Sequence, residues 1–387
     1  MTHNMLRAAV ALSGPALVSL IPMAVAPALP AMAANFSHGQ DGALFAQMIM
    51  TMPAIMLIIG APLASLLCER IGIRTTFLAA AALFTLAGSA GMLVDGFAEL
   101  AASRLLLGLA GGAIQTCTLA LVGRWYDEEA RHAILGWMVS LASAVAIGGL
   151  IAGGGLVDLV GWRGPFALYM LGTILVVLVA IVVERHAPGE EIADHGGFAP
   201  LLPLWPFYLA ILGLTLAMFM PGIQGPFLIV EHGSTSATVS ALILAASPIG
   251  AVLSSASFAM LRRRMSEYAV LAVTALLLGG GCLIAAAPGG TPMVILGFAI
   301  VGLGAGLVEP NIGSIILGRS PHALHARASS LMISAMFLGQ FLNPLAANPL
   351  RSGFGTWGAF IGIGSATLVA GLLILSLANR QRPAAAR

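Results

Sequence analysis

The sequence predicts an all-α membrane protein of twelve transmembrane helices, arranged as two pseudo-symmetric six-helix bundles around a central cleft. Hydrophobic residues make up 59% of the 387 residues and charged residues only 8%, against roughly 25% charged residues in a soluble domain. The apolar residues fall into runs of about 20 or more, the length that crosses a bilayer core as a helix. The basic residues, all of them arginine, are concentrated in alternate gaps between these runs.

Twelve apolar runs are long enough to cross the bilayer, and we number them in chain order as spans 1 to 12. The predicted spans are 8–34, 43–67, 76–94, 100–123, 132–157, 164–184, 204–230, 237–260, 267–287, 292–317, 327–350 and 356–379.

The arginines predict the orientation of the spans. They precede span 1, follow span 12 and fill every second gap between, whereas the remaining gaps hold only Arg163 and Arg351. Basic residues near span ends are retained on the cytoplasmic side. We therefore expect both termini and the 2–3, 4–5, 6–7, 8–9 and 10–11 loops to be cytoplasmic, in the inner membrane of a bacterium.

The absence of lysine excludes several functions. A Walker A phosphate loop requires a lysine, and so do the Schiff-base sites of retinal and pyridoxal phosphate proteins. The spans contain neither H-E-x-x-H nor paired aspartates, so we expect no catalytic residues, no metal site and no enzyme activity. The three cysteines lie in or beside spans and suggest no disulfide framework.

The remaining composition bounds the partners. The net charge of +2 reflects the cytoplasmic loops and does not indicate nucleic-acid binding. We expect no cofactor, and we expect the partners to be the lipid bilayer, a small-molecule substrate and protons, with the protein functional as a monomer.

The chain divides near its midpoint. The polar stretch from Glu184 to Pro203 reads as a solvated linker, which predicts an N-terminal six-helix half at 1–184, a cytoplasmic linker at 185–203 and a C-terminal six-helix half at 204–387. The segment 108–115 in span 4 aligns without gaps to 302–309 in span 10, with an offset of 194 residues. A duplicated six-helix unit requires this pairing of span 4 with span 10.

Side-chain amides indicate which spans face a polar interior. They occur in spans 2, 4, 7, 10 and 11, whereas spans 3, 6 and 9 contain none and span 12 has only Asn379 at its last residue. Because burying an unpaired amide in hydrocarbon costs several kcal/mol, we expect every third span, namely spans 3, 6, 9 and 12, to lie at the periphery and face lipid. The candidate substrate-cleft groups are Gln115, Gln224, Asn311, Gln340 and Asn343. The alternative for each is a hydrogen bond that bridges two helices.

The segment Ser65–Arg74 between spans 2 and 3 resembles the signature loop of the major facilitator superfamily of secondary transporters, G-x-L-A-D-R-x-G-R-R. Arg70, Gly72 and Arg74 match, Glu69 replaces the aspartate, and the other departures include Ser65 and Ile73. The resemblance covers essentially the whole chain and implies two six-helix halves with every third helix outside the cleft. It also implies that Glu69, Arg70, Gly72 and Arg74 form a gating loop that latches the cytoplasmic side in the outward-open state. The alternative is a plain topological anchor.

Two further marks of that family occur in the first half. Arg104 in span 4 is followed by Gly108 and Gly112, and an arginine inside a span usually faces a cavity or a partner. We assign Arg104 to proton coupling, with snorkelling to the periplasmic surface as the alternative. The span 5 antiporter motif G-P-x-x-G-G has its counterpart in Gly149, Gly153 and Gly154, although Leu150 stands in the place of the proline.

Glu309 is the carboxylate that lies well inside a span, and it is followed by Pro310 and Asn311. Removal from water favours the neutral form of a carboxyl group, and the proline frees a backbone carbonyl nearby. We expect Glu309 to exchange the coupling proton. The alternative is a permanently protonated glutamic acid that bonds across helices.

These features predict a secondary active transporter that moves a small organic solute by alternating access, coupled to protons, with a lean to efflux by antiport. Rocking of two repeats around a midplane site is the common mechanism of such folds. The alternatives are proton-coupled uptake of an organic acid or metabolite, and a membrane sensor that does not transport. Uptake stays open because the span 5 proline is absent and span 1 lacks the acidic residue of many multidrug exporters of the family.

Overall fold

The protein is helical throughout the residues that its structure, a computed structural model, describes: 2–36, 42–184, 199–321 and 324–380 contain no β-strand. Eleven helical segments in these ranges are long and apolar enough to cross a membrane. The last of them, Arg327–Ser376, has 50 residues and would be about 75 Å long, more than twice the roughly 30 Å of a bilayer core. It is divided by Gly355, whose backbone is not helical. The segment therefore holds spans 11 and 12, and the predicted fold of twelve spans is confirmed.

The six spans of the first half begin and end close to the predicted residues. In order, they consist of Thr2–Met23, Ala26–Ala28 and Leu29–Phe36 in span 1, Gly42–Ile71 in span 2, Ile73–Ser89 and Ala90–Met92 in span 3, Phe97–Trp125 in span 4, Glu128–Val160 in span 5, and Gly164–Leu171 and Gly172–Val182 in span 6. The predicted linker residues 185–198 lie outside the described ranges.

The second half opens with a short 3-10 helix that leads into span 7. Its helices are Ala199–Leu204, Trp205–Met218, Met220–Ile223 and Gly225–Glu231 up to the end of span 7, Ala237–Leu244 and Ala246–Arg264 in span 8, Glu267–Ala285 in span 9, Thr291–Arg319 in span 10, and His325–Arg380 in spans 11 and 12.

Span 7 is the most interrupted of the second half, and proline accounts for its breaks. Pro221 and Pro226 each stand in the first turn of a new helical segment. Proline lacks a backbone N–H and fits the first turn of a helix, where that donor would have no partner. The segment after Met218 therefore restarts at Met220 and again at Gly225 instead of continuing as one helix.

Contacts divide the chain into two compact units. The first comprises Met1–Asp194 together with Ser236–Ala241, and the second comprises His195–Thr235 together with Leu242–Arg387. The first turns of span 8 thus belong with the first unit. The borders at 184 and 203 stay predictions.

Within the first unit, spans 2 and 4 pack backbone against backbone. A Cβ atom at Gly108 would overlap the carbonyl oxygen of Pro53, and one at Gly112 would lie 2.6 Å from the carbonyl oxygen of Leu57. Glycine at these places allows the close approach that holds membrane helices together where no hydrophobic effect acts between them.

Spans 8 and 10 of the second unit repeat this contact residue by residue. A Cβ atom at Gly302 would overlap the carbonyl oxygen of Ser247, and one at Gly306 that of Ala251. All four residues lie 194 positions after their counterparts in spans 2 and 4. The offset found in the sequence therefore relates two equivalent helix pairs.

Candidate functional site

Arg104 lies inside the first unit, with only 1% of its surface exposed. Its Nη2 atom donates hydrogen bonds to the carbonyl oxygens of Ala87 at 2.8 Å and Gly88 at 2.7 Å. Its guanidinium carbon lies 4.7 Å from the ring centre of Phe166 and 5.3 Å from that of Tyr169. The arginine does not snorkel to the membrane surface, so that alternative is wrong: it is enclosed by spans 3, 4 and 6.

The helix end at span 3 explains why a cation is stable there. The last carbonyl groups of an α-helix have no intrahelical donor and carry partial negative charge. The α-helix of span 3 ends at Ser89, directly after Ala87 and Gly88. Nε of Arg104 also donates to Oγ of Ser103 at 3.3 Å, and Oη of Tyr169 donates to the carbonyl oxygen of Ile21 at 2.8 Å. This arrangement connects four spans, as expected of an anchor. The role of Arg104 in proton coupling stays a prediction.

The loop between spans 2 and 3 makes a tight reversal at Gly72, one of the residues that match the signature loop. The residue has φ 84° and ψ 151°, a conformation open to glycine and unfavourable for residues with a Cβ. Nη2 of Arg74 donates to the carbonyl oxygen of Ala180 in span 6 at 2.7 Å, whereas Glu69 and Arg70 are exposed. Gly72 and Arg74 thus shape the loop, and the latch formed by Glu69 and Arg70 stays a prediction.

The span 5 glycines are packing positions. A Cβ atom at Gly149 would overlap the side chain of Leu20, and one at Gly153 would overlap the carbonyl oxygen of Ala24, both in span 1. One at Gly154 would lie 2.6 Å from the carbonyl oxygen of Ala237 in the first turn of span 8. The row holds span 5 in close contact with span 1 and with the first turn of span 8, whose residues Ser236–Ala241 belong to the same unit.

Asp158, near the outer end of span 5, is a site that the sequence did not reveal. Its carboxylate accepts hydrogen bonds from Oγ of Ser236 at 2.7 Å, from the backbone N–H of Ala237 at 2.8 Å, and from both N–H and Oγ1 of Thr238 at 2.9 and 2.6 Å. The free N–H groups at a helix start are usually capped by a side chain of the same segment. Here a carboxylate from another span caps the helix Ala237–Leu244.

The cap of Asp158 has only a partial signal in the sequence. The serine and threonine residues that precede span 8, from Ser234 to Thr238, are typical of a helix start. They do not indicate which distant acid completes the cap, because that depends on how spans 5 and 8 fold together.

In the second unit, two candidate cleft amides bridge helices. Nδ2 of Asn311 in span 10 donates to the carbonyl oxygen of Glu267 in span 9 at 3.1 Å. Nδ2 of Asn343 in span 11 donates to the carbonyl oxygen of Leu216 in span 7 at 2.7 Å. The side-chain oxygens of both residues are buried without a hydrogen-bond partner. The amide nitrogens thus follow the bridging alternative, and the oxygens remain available as acceptors.

The other predicted cleft residues differ in burial. Gln224 and Gln340 are buried, with 0% and 4% of their surfaces exposed, and Gln115 is half-buried. Glu309 is exposed on span 10, although its neighbour Asn311 is fully buried. Glu309 thus keeps exposed surface inside span 10, although protein atoms largely surround its carboxyl group.

The outer end of span 7 binds the start of span 12. Oγ1 of Thr356 donates to Oε1 of Glu231 at 2.5 Å, and the guanidinium of Arg351 lies 5.1 Å from the ring centre of Phe227. The sequence places Arg351 in the gap between spans 11 and 12 and does not indicate these contacts.

Comparisons with known proteins agree with this architecture. The family model described as Major Facilitator Superfamily matches residues 12–229. The multidrug resistance protein Stp of Mycobacterium tuberculosis (strain CDC 1551 / Oshkosh) is 29% identical over 171 residues, which cover 44% of this chain and 31% of the relative. The drug efflux pump JefA of the same strain is 31% identical over 147 residues, or 36% of this chain and 28% of the relative. The matches thus span less than a third of the length of these two relatives.

Solved structures show the same fold over nearly the whole chain. The crystal structure of a D-xylose-proton symporter has a TM-score of 0.74 at 13% identity, and it covers 96% of this chain and 97% of its own. Identity this low supports the fold alone. The family match includes spans 1 to 7, the loop around Gly72 and the glycine row of span 5. The chain belongs to the Major Facilitator Superfamily and is a multi-pass membrane protein of that transporter family.

Proposed function

We propose that the protein exports a small organic solute in exchange for protons, by alternating access. The observation that carries the coupling is Glu309, a carboxyl-bearing residue well inside span 10 that keeps exposed surface there. An ionisable residue inside a membrane span usually marks a substrate or proton pathway. Protonation removes its charge, so the same side chain can face different surroundings in its two states.

The direction of transport rests on separate grounds. The two relatives described above carry the names multidrug resistance protein and drug efflux pump. The glycine row at Gly149, Gly153 and Gly154 supports the same direction, because it resembles the antiporter motif and packs span 5 against its neighbours as such a motif requires. We also propose an orientation with both termini cytoplasmic, on the basis of the arginine distribution.

The substrate contacts and the gate complete the proposal. The acceptors are the side-chain oxygens of Asn311 and Asn343, which are buried and have no hydrogen-bond partner and which suit a solute that donates hydrogen bonds. Glu69 and Arg70, exposed beside the rigid turn at Gly72, serve as the cytoplasmic latch. Each of these assignments predicts a change in transport without a loss of fold when the side chain is replaced.

The decisive experiment measures transport in proteoliposomes. A thermal-shift screen over antibiotics, organic acids and metabolites supplies a ligand, which is then labelled. We expect the wild type to move this ligand against its concentration gradient when a pH gradient drives protons in the opposite direction. We expect Glu309→Gln to lose this driven movement, whereas counterflow persists. Glutamine fits because Gln115 holds the equivalent position in span 4. Glu99→Gln, which neutralises an exposed carboxylate at the start of span 4, is the matched control and should behave as wild type.

The outcomes separate the alternatives. Driven movement by Glu309→Gln with wild-type pH dependence would show that Glu309 is a structural residue. Movement of ligand in the same direction as the protons would indicate uptake. Binding without any counterflow in the wild type would indicate a sensor.

A further inference from the structure

Cys68 and Cys117 bring their Sγ atoms within 3.7 Å of each other. Cys68 lies in the last turn of span 2 and is half-buried, whereas Cys117 lies in span 4 and is fully buried. Both belong to the first unit, and the third cysteine, Cys282, is buried in span 9 of the second. Nothing in the proposed transport mechanism uses this pair.

The two helices that carry the pair pack closely beside it, so the short distance follows from the helix packing. Spans 2 and 4 are in direct contact at Gly108 and Gly112. One turn further along, Oγ1 of Thr116 lies 3.5 Å from the carbonyl oxygen of Ala61. A disulfide has an S–S distance of about 2 Å, so the two sulfur atoms, now 3.7 Å apart, must still approach each other before the bond can form.

We propose that Cys68 and Cys117 are a redox-active thiol pair that closes to a disulfide when the protein meets a peroxide. The Cys68 thiolate attacks one peroxide oxygen, which gives a sulfenic acid on Cys68 and releases water or an alcohol. The Cys117 thiol then attacks the Cys68 sulfur, which forms the S–S bond and releases a second molecule of water. Two thiols and one peroxide thus become one disulfide, one water and one water or alcohol.

The different burial of the two thiols suits these two roles. Only the first thiol must meet the oxidant, and susceptibility to oxidation follows thiolate character and exposure. Cys68 is the partly exposed member, and Cys117 attacks within the protein, where no access from solvent is required. Dithiol reductants reverse the bond by thiol–disulfide exchange. The pair is thus a reversible modification site and differs from the permanent disulfides of secreted proteins.

The bond would act on the gating loop. Cys68 directly precedes Glu69 and Arg70 and accepts, through its carbonyl oxygen, the hydrogen bond from the N–H of Gly72 at 3.1 Å. A disulfide to Cys117 fastens this turn to span 4. Because both helices belong to one unit, the oxidised protein should keep its fold.

The test uses the purified full-length chain carrying Cys282→Ser, treated with hydrogen peroxide. We expect the intact mass to fall by two hydrogen atoms, digestion without reductant to give one peptide that joins Cys68 to Cys117, and dithiothreitol to reverse both changes. In the additional Cys117→Ser variant, Cys68 should accumulate as sulfenic acid that dimedone traps. In the additional Cys68→Ser variant, Cys117 should react far more slowly.

Three results would overturn the proposal. The first is a dimedone adduct on Cys68 without any crosslinked peptide when Cys117 is present. The second is a crosslink that a non-reducing gel shows only between separate molecules. The third is that both thiols remain unreacted after peroxide treatment. Circular dichroism of each variant shows whether its helices are intact, so a failure to fold is recognised separately.

Discussion

Arg104 and Phe298 occupy equivalent places in the two units, 194 residues apart along the chain. Arg104 lies over the ring of Phe166, and Phe298 stacks on Phe360 with ring centres 6.0 Å apart. Phe166 and Phe360 are themselves 194 residues apart. A guanidinium in the first unit and a phenyl ring in the second therefore occupy equivalent positions against equivalent phenylalanines. Both are flat groups that pack on an aromatic ring. In the first unit the charge adds the hydrogen bonds to the end of span 3.

Replacement of Arg104 should destabilise the protein. Arg104→Ala leaves the carbonyl groups of Ala87 and Gly88 buried without a donor, at a cost of about 1–3 kcal/mol each. We expect a clear fall in the unfolding temperature in detergent, and a smaller fall for Arg104→Lys, which keeps the charge without the planar fork. Arg163→Ala, which removes an arginine from the half-exposed pair with Asp95, should change it little. If Arg104→Lys keeps full stability and shifts the pH dependence of transport instead, the arginine belongs to the coupling machinery.

Loss of the Asp158 cap should loosen the start of span 8. Asp158→Ala removes four hydrogen bonds, and losing a helix cap costs about 1 kcal/mol. We expect faster hydrogen–deuterium exchange at the backbone N–H groups of Ala237 and Thr238, with Asp158→Asn intermediate because its amide oxygen still accepts. Asp95→Ala removes the acid of an ion pair whose aspartate is 87% exposed and is the matched control. Equal exchange in Asp158→Ala and Asp95→Ala would show that the cap is not formed in the membrane.

The equivalent glycines of spans 4 and 10 should tolerate no side chain. Gly108→Ala and Gly302→Ala each place a methyl group against a backbone carbonyl oxygen of the neighbouring span, and such overpacking costs about 1–3 kcal/mol. Gly123→Ala is the control because no atom lies near its Cβ position, and alanine is the better helix former by about 1 kcal/mol. We expect lower unfolding temperatures for the first two variants and an equal or higher one for the control. If all three variants behave alike, spans 2 and 4, and 8 and 10, are not in close contact.

The orientation can be checked with single cysteines in a background where Cys68, Cys117 and Cys282 are serine. Ser352→Cys, exposed between spans 11 and 12, should react with an impermeant maleimide added to intact cells, because its gap is predicted to be periplasmic. Thr75→Cys, exposed beside Arg74, should react only after the membrane is opened. Labelling of Thr75→Cys in intact cells would reverse the proposed orientation.

Much of the fold follows from local sequence properties. Apolar length places the spans, and the glycine pattern of span 4 recurs in span 10 because identical spacings make identical helix contacts at Gly108 and Gly302. The reversal at Gly72 also agrees with the sequence, because a tight turn between two long helices favours glycine, which adopts a positive φ without strain.

The parts that could not be predicted are contacts between distant segments. Asn311 and Asn343 can be recognised in the sequence as polar residues in apolar spans. The partner of each is a backbone carbonyl group, which every residue has, so the sequence does not indicate which residue accepts the hydrogen bond. The burial of Arg104 depends on where span 3 ends and on two aromatic residues of span 6. The cap at Asp158 likewise joins residues that lie 78 to 80 positions apart.

Gly355 gives spans 11 and 12 an unusual mechanical relation. Helix runs up to it and resumes after it, so a single residue with φ 77° is the whole connection between two membrane-spanning rods. A longer loop would let each rod turn about its own axis, whereas a joint of one residue transmits the twist of one rod to the other. Thr356, the residue after Gly355, donates a hydrogen bond to Glu231 of span 7. This contact attaches the start of span 12 to span 7. Any rotation of span 11 during the transport cycle must therefore bend the backbone at Gly355 or move spans 7 and 12 with it.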